Sequence, residues 1–416
     1  MSPRIALIRF GLLFSGLYMA FGAASPFFPA FLSARGLSAD QIGLVLALGS
    51  ACRLAAGPIA GRLADRLNAL RAVLASCCLL AALAAFAFLT AYGLSPLLLI
   101  GLCYAAMLAP TTSLADALAL RSAAGSADDS PRQAAVEAGG RREARFEYGW
   151  VRGAGSAAFI LGSIIGGQAI NLLGPGAGLG LQATFLIMAA GIALWVPELA
   201  APRPAVPRAA QPEGGMRALL RIREFRLVVL LAALILGSHA MHDSFVMILW
   251  NQIGISAGLG SVLWAQSVAA EVVVFFWLGP LLLRHVRPEA GMGLAAVAAM
   301  LRWMLTALLA SPAAFALIEP LHGLTFALLH LSCMRVLVAV VPNAMAATAQ
   351  TVYALGIGAA STALTLWSGS LYGRFGPGGF AAMAGLAALS LPIIAVLWRI
   401  DHPGSRPAPR PRAEPS

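Results

Sequence analysis

Long apolar runs, separated by short polar stretches, fill most of the chain. A helix crosses the hydrocarbon core of a bilayer with about 20 apolar residues. Twelve runs meet that length: 8–32, 41–61, 72–92, 96–120, 148–173, 179–197, 226–250, 258–283, 291–310, 313–339, 344–372 and 378–399. The first lies in MSPRIALIRFGLLFSGLYMAFGAAS, with the basic start and Ala-rich stretch of a signal peptide. It stays apolar to Phe31, beyond an ordinary h-region, and is read as an uncleaved span. The pattern predicts an all-α membrane protein with twelve transmembrane helices.

Two polar stretches interrupt the series. Residues 122–147, SAAGSADDSPRQAAVEAGGRREARFE, form a long loop, and 198–215 are rich in Pro and Gly and read as a linker. The MRALLRIREF that follows is either a short basic helix on an anionic leaflet or an inward extension of the seventh span. The chain divides into a six-helix bundle (1–197), a cytoplasmic linker (198–225), a second six-helix bundle (226–399) and a tail (400–416). A faint repeat relates the halves. Gly61–Arg62 after the second span matches Gly279–Pro280 after the eighth, Arg66 matches Arg284, and Arg53 falls opposite Glu271. Pseudo-symmetric halves are a usual architecture of secondary transporters, with the substrate site near the midplane.

Composition agrees. Of 416 residues, 60% are hydrophobic and 11% charged, and mean hydropathy is +0.83; a soluble domain carries about 25% charged residues. With the N-terminus cytoplasmic, the inner side holds Arg4, Arg9, Arg62, Arg66, Arg71, clusters at 121–145 and 203–226, Arg284, Arg287 and the tail. The outer loops hold only Arg35 and Arg374. That asymmetry follows the positive-inside rule and puts both termini in the cytoplasm.

All 28 basic residues are arginine. Without lysine there is no P-loop and no Schiff-base chemistry. Cys52, Cys77, Cys78, Cys103 and Cys333 lie in apolar runs without metal-ligand spacing. There is no Ser-centred nucleophile motif and no Gly-rich nucleotide loop, so neither an enzyme nor a cofactor or metal is expected. A sensor would need a signalling domain, and no soluble segment is long enough to form one. The net charge of +11 sits in loops beside apolar segments, so the bilayer accounts for it and nucleic acid need not.

Candidate chemistry lies inside the spans. LILGSHAMHDSFVMILW (234–250) carries His239, His242 and Asp243. Across the spans, Arg53, Arg152, Arg302 and Arg335 balance Asp116, Asp243, Glu271 and Glu319, and His322 and His330 join the two earlier histidines. Each charge costs roughly 2.5–3.5 kcal/mol at a helix centre, so equal numbers suggest pairing in a cavity. His239, Asp243, Glu271, Arg302 and His322 lie in the middle portions of spans seven to ten, and Glu319 is nearer the outside. Asp116, Arg152 and Arg335 lie near the cytoplasmic ends. His239 and Asp243, at i and i+4, share one face. Such groups mark ion or substrate paths or serve as structural pairs; for Arg53 and Arg335 both readings stand.

GRLADR (61–66) resembles the cytoplasmic loop signature of the major facilitator superfamily. Gly61, Asp65 and Arg66 match, and Asn68 stands where a later glycine is usual. The resemblance implies the major facilitator fold, with Asp65 and Arg66 helping to hold the inside closed. SLADALAL (113–120), FEYGWVRGAGSAAFILGS (146–163), LGSHA (236–240), AAEVVVF (269–275), LRW (301–303) and LHGLTFALLHLSCMR (321–335) resemble the bacterial phenylpropionate permease group. That group is similar to lactose permease and other oligosaccharide–proton symporters. By that pattern Asp116 and Arg152 stand at the substrate-binding carboxylate and arginine. Glu271, Arg302 and His322 stand at the carboxylate, arginine and histidine of the proton and substrate machinery. Two positions depart: Thr325 replaces a proton-carrying glutamate, and Glu319 replaces a lysine whose partner acid is retained as Asp243. A salt bridge then becomes a pair of acids. Either Asp243 and Glu319, with His239 or His242, carry the missing glutamate's proton, or His242 or a water separates them and they are inert.

The resulting expectation is a monomeric secondary transporter of the bacterial inner membrane that imports a small organic solute with protons. Arg152 and Arg302 can each grip a carboxylate, with His239 also at the substrate. Trp150, Trp264, Trp303 or Tyr353 can stack on an aromatic ring, though an interface or packing role is the commoner one for each. A sugar or nucleoside is the alternative substrate. Residues 153–173 lack the Gly-Pro signature of drug–proton antiporters, which favours import, and their glycines permit close helix contact.

Overall fold

A computed structural model describes residues 3–124, 146–197 and 215–400. Among these, all regular structure is helical. Eleven segments are long and apolar enough to cross a membrane; the last, Asn343–Arg399, has 57 residues. At about 1.5 Å per residue that is far more than one crossing. It is interrupted at Gly376–Gly379, where Gly376 takes φ +54°, so it makes two spans and the total of twelve is met. Most of loop 122–147, the linker core and the tail lie outside the described residues.

By contact the chain separates into two compact units, Met1–Ala209 with Ser256–Val262, and Ala210–Ile255 with Leu263–Ser416. In the first, α1 (Pro3–Ala24) and α2 (Phe28–Ala34) make the first span. They are followed by α3 (Ala39–Leu67), α4 (Leu70–Phe88), α5 (Leu94–Ala124), α6 (Tyr148–Leu173) and α7 (Ala177–Trp195). The tightest seam joins α1 to α6. A Cβ on Gly162 would stand 2.5 Å from the Met19 carbonyl oxygen, and one on Gly166 2.5 Å from that of Ala23. Only glycine admits that approach. The helix α3 starts with a capping box between Ser38 and Gln41. It runs past the expected end at 61, so GRLADR forms its last turns rather than a loop. It stops at Asn68, whose φ of 50° and ψ of 42° are left-handed; asparagine serves here where glycine is usual.

The second unit begins with α8 (Gly215–Leu219), set off by a turn from α9 (Arg223–Gly237). MRALLRIREF therefore does not extend the seventh span as one helix. That span comprises α9 and α10 (His239–Gln252) and breaks at Ser238. The Ser238 hydroxyl donates to the Ile235 carbonyl at 2.6 Å and accepts from Trp303 Nε1 at 2.8 Å; such back-bonding bends helices. Next along the chain come α11 (Ala257–Val273), whose residues to Val262 group with the first unit, α12 (Gly279–Leu283), α13 (Pro288–Leu308), α14 (Pro312–Ile318), α15 (Leu329–Val340), α16 (Ala346–Phe375), α17 (Phe380–Ala388) and α18 (Ser390–Arg399).

Two spans of this unit contain π-helical turns, Val274–Leu278 and Gly323–Leu328. Pro280 has no N–H for the carbonyl four residues back, which explains the first. The second follows a 3-10 turn at Glu319–Leu321 that contains Pro320. The turns meet. A Cβ on Gly323 would lie 2.6 Å from the Ala270 carbonyl oxygen, so this glycine lets the eighth and tenth spans close on each other. Glu271 and His322 flank that contact.

Candidate functional site

Each unit holds a polar cluster within its apolar helices. In the second unit the centre is Arg302 on α13, which is 0% exposed. Its Nη2 donates to Glu319 Oε2 at 2.7 Å, and its Nη1 donates to His322 Nδ1 at 2.9 Å. A guanidinium only donates, so His322 Nδ1 carries no proton and the ring is the neutral Nε2–H tautomer. Nε2 then donates to Glu271 Oε2, 3.3 Å away.

His242 completes the chain of contacts. Its Nδ1 is 3.4 Å from Asp243 Oδ1. Its Nε2 is 3.1 Å from both Glu319 Oε1 and Arg302 Nη2. The two contacts exclude each other: protonated Nε2 donates to Glu319, and bare Nε2 accepts from Arg302. His242 is thus a position where one proton changes the bonding. Its ring stacks on Trp264 at 5.3 Å, and Trp303 lies 5.7 Å away. Trp303 is wholly buried, and its ring packs under the Arg302 guanidinium at 4.7 Å.

His239 faces elsewhere. Its Nδ1 donates to the Ile235 carbonyl at 3.0 Å, and its Nε2 lies 2.9 Å from the Thr325 hydroxyl. The ring centroid is 5.4 Å from that of His322. The hydroxyl standing where the resemblance places a proton-carrying glutamate is therefore tied to His239. The acid pair expected at Asp243 and Glu319 takes another form: His242 sits between them, and Glu319 takes Arg302 as its partner. The Asp243 side chain is 59% exposed.

In the first unit, Tyr148 donates to Asp116 Oδ1, and Arg152 Nη1 donates to the Tyr18 hydroxyl. Arg152 Nη1 also lies 3.5 Å from Asp116 Oδ1. Gly155 permits this, since a Cβ there would press on the Tyr18 ring at 3.0 Å. Tyr18 borders a cavity of about 420 Å³ that is lined also by Phe21, Arg53, Leu108, Thr112 and Phe159. Its walls come from the first, second, fourth and fifth spans.

The cytoplasmic signature is partly paired, with Asp65 Oδ1 3.2 Å from Arg121 Nη2. Around Gly61 there is open space. Among the described residues Arg335 meets no acid, and it donates to the Leu283 carbonyl. Trp150 is exposed, and Tyr353 is buried against the His330 ring. No cluster of metal-ligating side chains occurs among the described residues.

The expected site residues fall into these groups: Asp116 with Arg152 in one unit, and Glu271, Arg302, Glu319 and His322 in the other. Sequence reasoning gave His239 a substrate role and His242 a minor one, whereas His242 stands at the junction. It also missed Tyr18 and Tyr148. A usable signal existed for Tyr148, which precedes Arg152 by four residues and shares its helix face.

A family model described as MFS_1 like family matches residues 8–381. The chain belongs to that family. A curated relative from Escherichia coli (strain K12), "Probable 3-phenylpropionic acid transporter", is 27% identical over 380 residues, covering 88% of this chain and 91% of the relative. Among solved structures, the nucleoside transporter NupG superposes with TM-score 0.73 at 16% identity, covering 95% of this chain and all of that one. A bacterial homologue of the lysosomal transporter Spinster gives 0.70 at 15%, covering 95% and 96%. The peptide transporter PepTSo gives 0.69 at 12%, covering 96% and 98%. The fold is that of the major facilitator transporters, and the protein is a multi-pass membrane transporter. The resemblance to the phenylpropionate permease group is met by the curated relative.

Proposed function

We propose that this protein is a proton-coupled symporter that imports a small aromatic carboxylate, of the phenylpropionate kind, across the bacterial inner membrane. It works as a monomer, with both termini cytoplasmic and two six-helix bundles, 1–197 and 226–399, joined by 198–225. Asp65, Arg66 and Gly61 belong to the inner gate, with Arg121 as the partner of Asp65.

The observation that carries proton coupling is the imbalance in the second unit. One arginine, Arg302, serves three carboxylates linked through His242 and His322. With both rings neutral the group sums to two negative charges, so it has room for a proton. A proton on His242 Nε2 moves that ring's bond from Arg302 to Glu319 and frees one guanidinium hydrogen bond. A change of protonation thereby becomes a change of contacts between the seventh, ninth and tenth spans, the kind of two-state element a coupled carrier needs. Substrate class rests on the curated relative, whose name carries an aromatic acid. One anion moving with one proton carries no net charge.

The test is uptake of radiolabelled 3-phenylpropionate into proteoliposomes, beside a panel of sugars, nucleosides and cationic drugs. The expected result is accumulation of the acid under an inwardly directed proton gradient, its collapse with a protonophore, and alkalinisation outside on adding substrate. Uptake indifferent to the gradient would remove proton coupling. Transport of a sugar or nucleoside in place of every aromatic acid would remove the substrate class.

A further inference from the structure

Arg53 stands fourteen residues from either end of α3 (Ala39–Leu67), which is mid-depth in the second span. An arginine at that depth is rare and marks a path for ions or substrate. The other arginines within the spans are engaged. Arg302 is buried, with both Nη atoms bonded; Arg152 holds Tyr18 and Asp116; Arg335 holds a carbonyl. Among the described residues Arg53 has neither a carboxylate nor a hydrogen-bond acceptor. Nor does it point to lipid, since residues of the first, fourth and fifth spans line the same cavity.

That cavity has the makeup of an aromatic-acid site. Its volume of about 420 Å³ lies within the roughly 300–1,000 Å³ of small-molecule pockets. Tyr18, Phe21 and Phe159 supply ring surfaces, and Thr112 a hydroxyl. The cluster that adjoins it through Tyr18 sums, with Arg53, to one positive charge: two arginines against Asp116. A monoanion cancels it.

Resting on the function proposed above, we infer that Arg53 receives the substrate carboxylate while the aromatic ring packs among Tyr18, Phe21 and Phe159. Arg152 and Arg302, whose donors already serve acids, then hold the site's own charges in place. With the cavity empty the exposed Arg53 guanidinium has only water, and a bound anion gives it a charged partner.

Binding of 3-phenylpropionate and of its uncharged primary amide to purified protein in nanodiscs separates the cases. Wild type favours the acid. Arg53→Gln weakens acid binding by about 10- to 100-fold, the worth of a charge-assisted hydrogen bond pair, and binds acid and amide nearly alike. Its ligand-free melting temperature does not fall, because no protein contact is lost; an arginine with a structural role would lower it. A second measurement needs no variant: the acid, but not the amide, shields Arg53 of wild type from arginine-directed dicarbonyl labelling, read by peptide mass spectrometry. Undiminished acid preference in Arg53→Gln, or labelling unaffected by the acid, overturns the assignment and leaves the transport reading intact. Failure of wild type to bind any aromatic carboxylate overturns both.

Discussion

Replacing Glu319 with glutamine deletes one charge and leaves the side chain's size almost unchanged. Glu319 and Arg302 are both 0% exposed, and their closest atoms are 2.7 Å apart. After the substitution the guanidinium keeps its hydrogen bond to His322 but loses its anion; Glu271 is reached only through the His322 ring. Removing one partner of a buried ion pair costs about 3–5 kcal/mol. The amide oxygen still accepts one hydrogen bond, so the low end, about 3 kcal/mol, is expected. At about 2–4 °C per kcal/mol for domains of this size, the melting temperature falls by roughly 6–12 °C. Removing both charges in Arg302→Gln/Glu319→Gln recovers part of the loss, because neither member of this pair is left without its counter-charge while Glu271 keeps its His322 contact. The coupling energy is then at least about 2 kcal/mol. Tryptophan-fluorescence melts of wild type, the two single variants and the double variant in detergent measure the cycle. Additive shifts, or a Glu319→Gln melt within about 1 °C of wild type, would refute the view that charge holds this cluster.

Glu271→Gln retains the His322 contact as a neutral hydrogen bond but removes a negative charge, so substrate exchange between equal pools persists while proton-driven accumulation is lost, as counterflow and uptake assays in proteoliposomes would register. Gly166→Val places a side chain against the Ala23 backbone and lowers stability by about 1–3 kcal/mol; Gly61→Ala, facing open space within a helix, raises it by about 0.5–1 kcal/mol, both read from thermal melts. Asn68→Val forces a β-branched residue into a left-handed turn and costs about 1–2 kcal/mol, whereas Asn68→Gly leaves the thermal melt unchanged.

Parts of the site were legible in the residues and parts were not. Acids and bases within apolar runs announce themselves because each is costly in hydrocarbon, so Asp116, Arg152, Glu271, Arg302, Glu319 and His322 stood out at once. Which charge meets which is a matter of helix rotation and approach, and one-dimensional spacing carries neither. Whether Asp243 and Glu319 meet or are separated by His242 was left open by the sequence; Pro320 and the π turn after it accompany a tenth span in which Glu319 meets Arg302 and His242. Arg53 gave no sign of its isolation, because a missing partner is visible only when all neighbouring spans are in place.

What the sequence determined by itself is the solvent and the number of crossings. Twenty-residue apolar runs can satisfy their backbone groups in a bilayer only as helices. The helix end at Asn68 was not read in this way: the apolar run closes at 61, while the helix continues to Leu67. Tertiary structure alone decided the pairing: the glycine seams that let spans close on each other, the ring nitrogen of His242 shared between Arg302 and Glu319, and the cavity at Arg53. Those depend on distances of about 3 Å between residues remote in the chain, where a hydrogen bond is made or lost within a few tenths of an ångström.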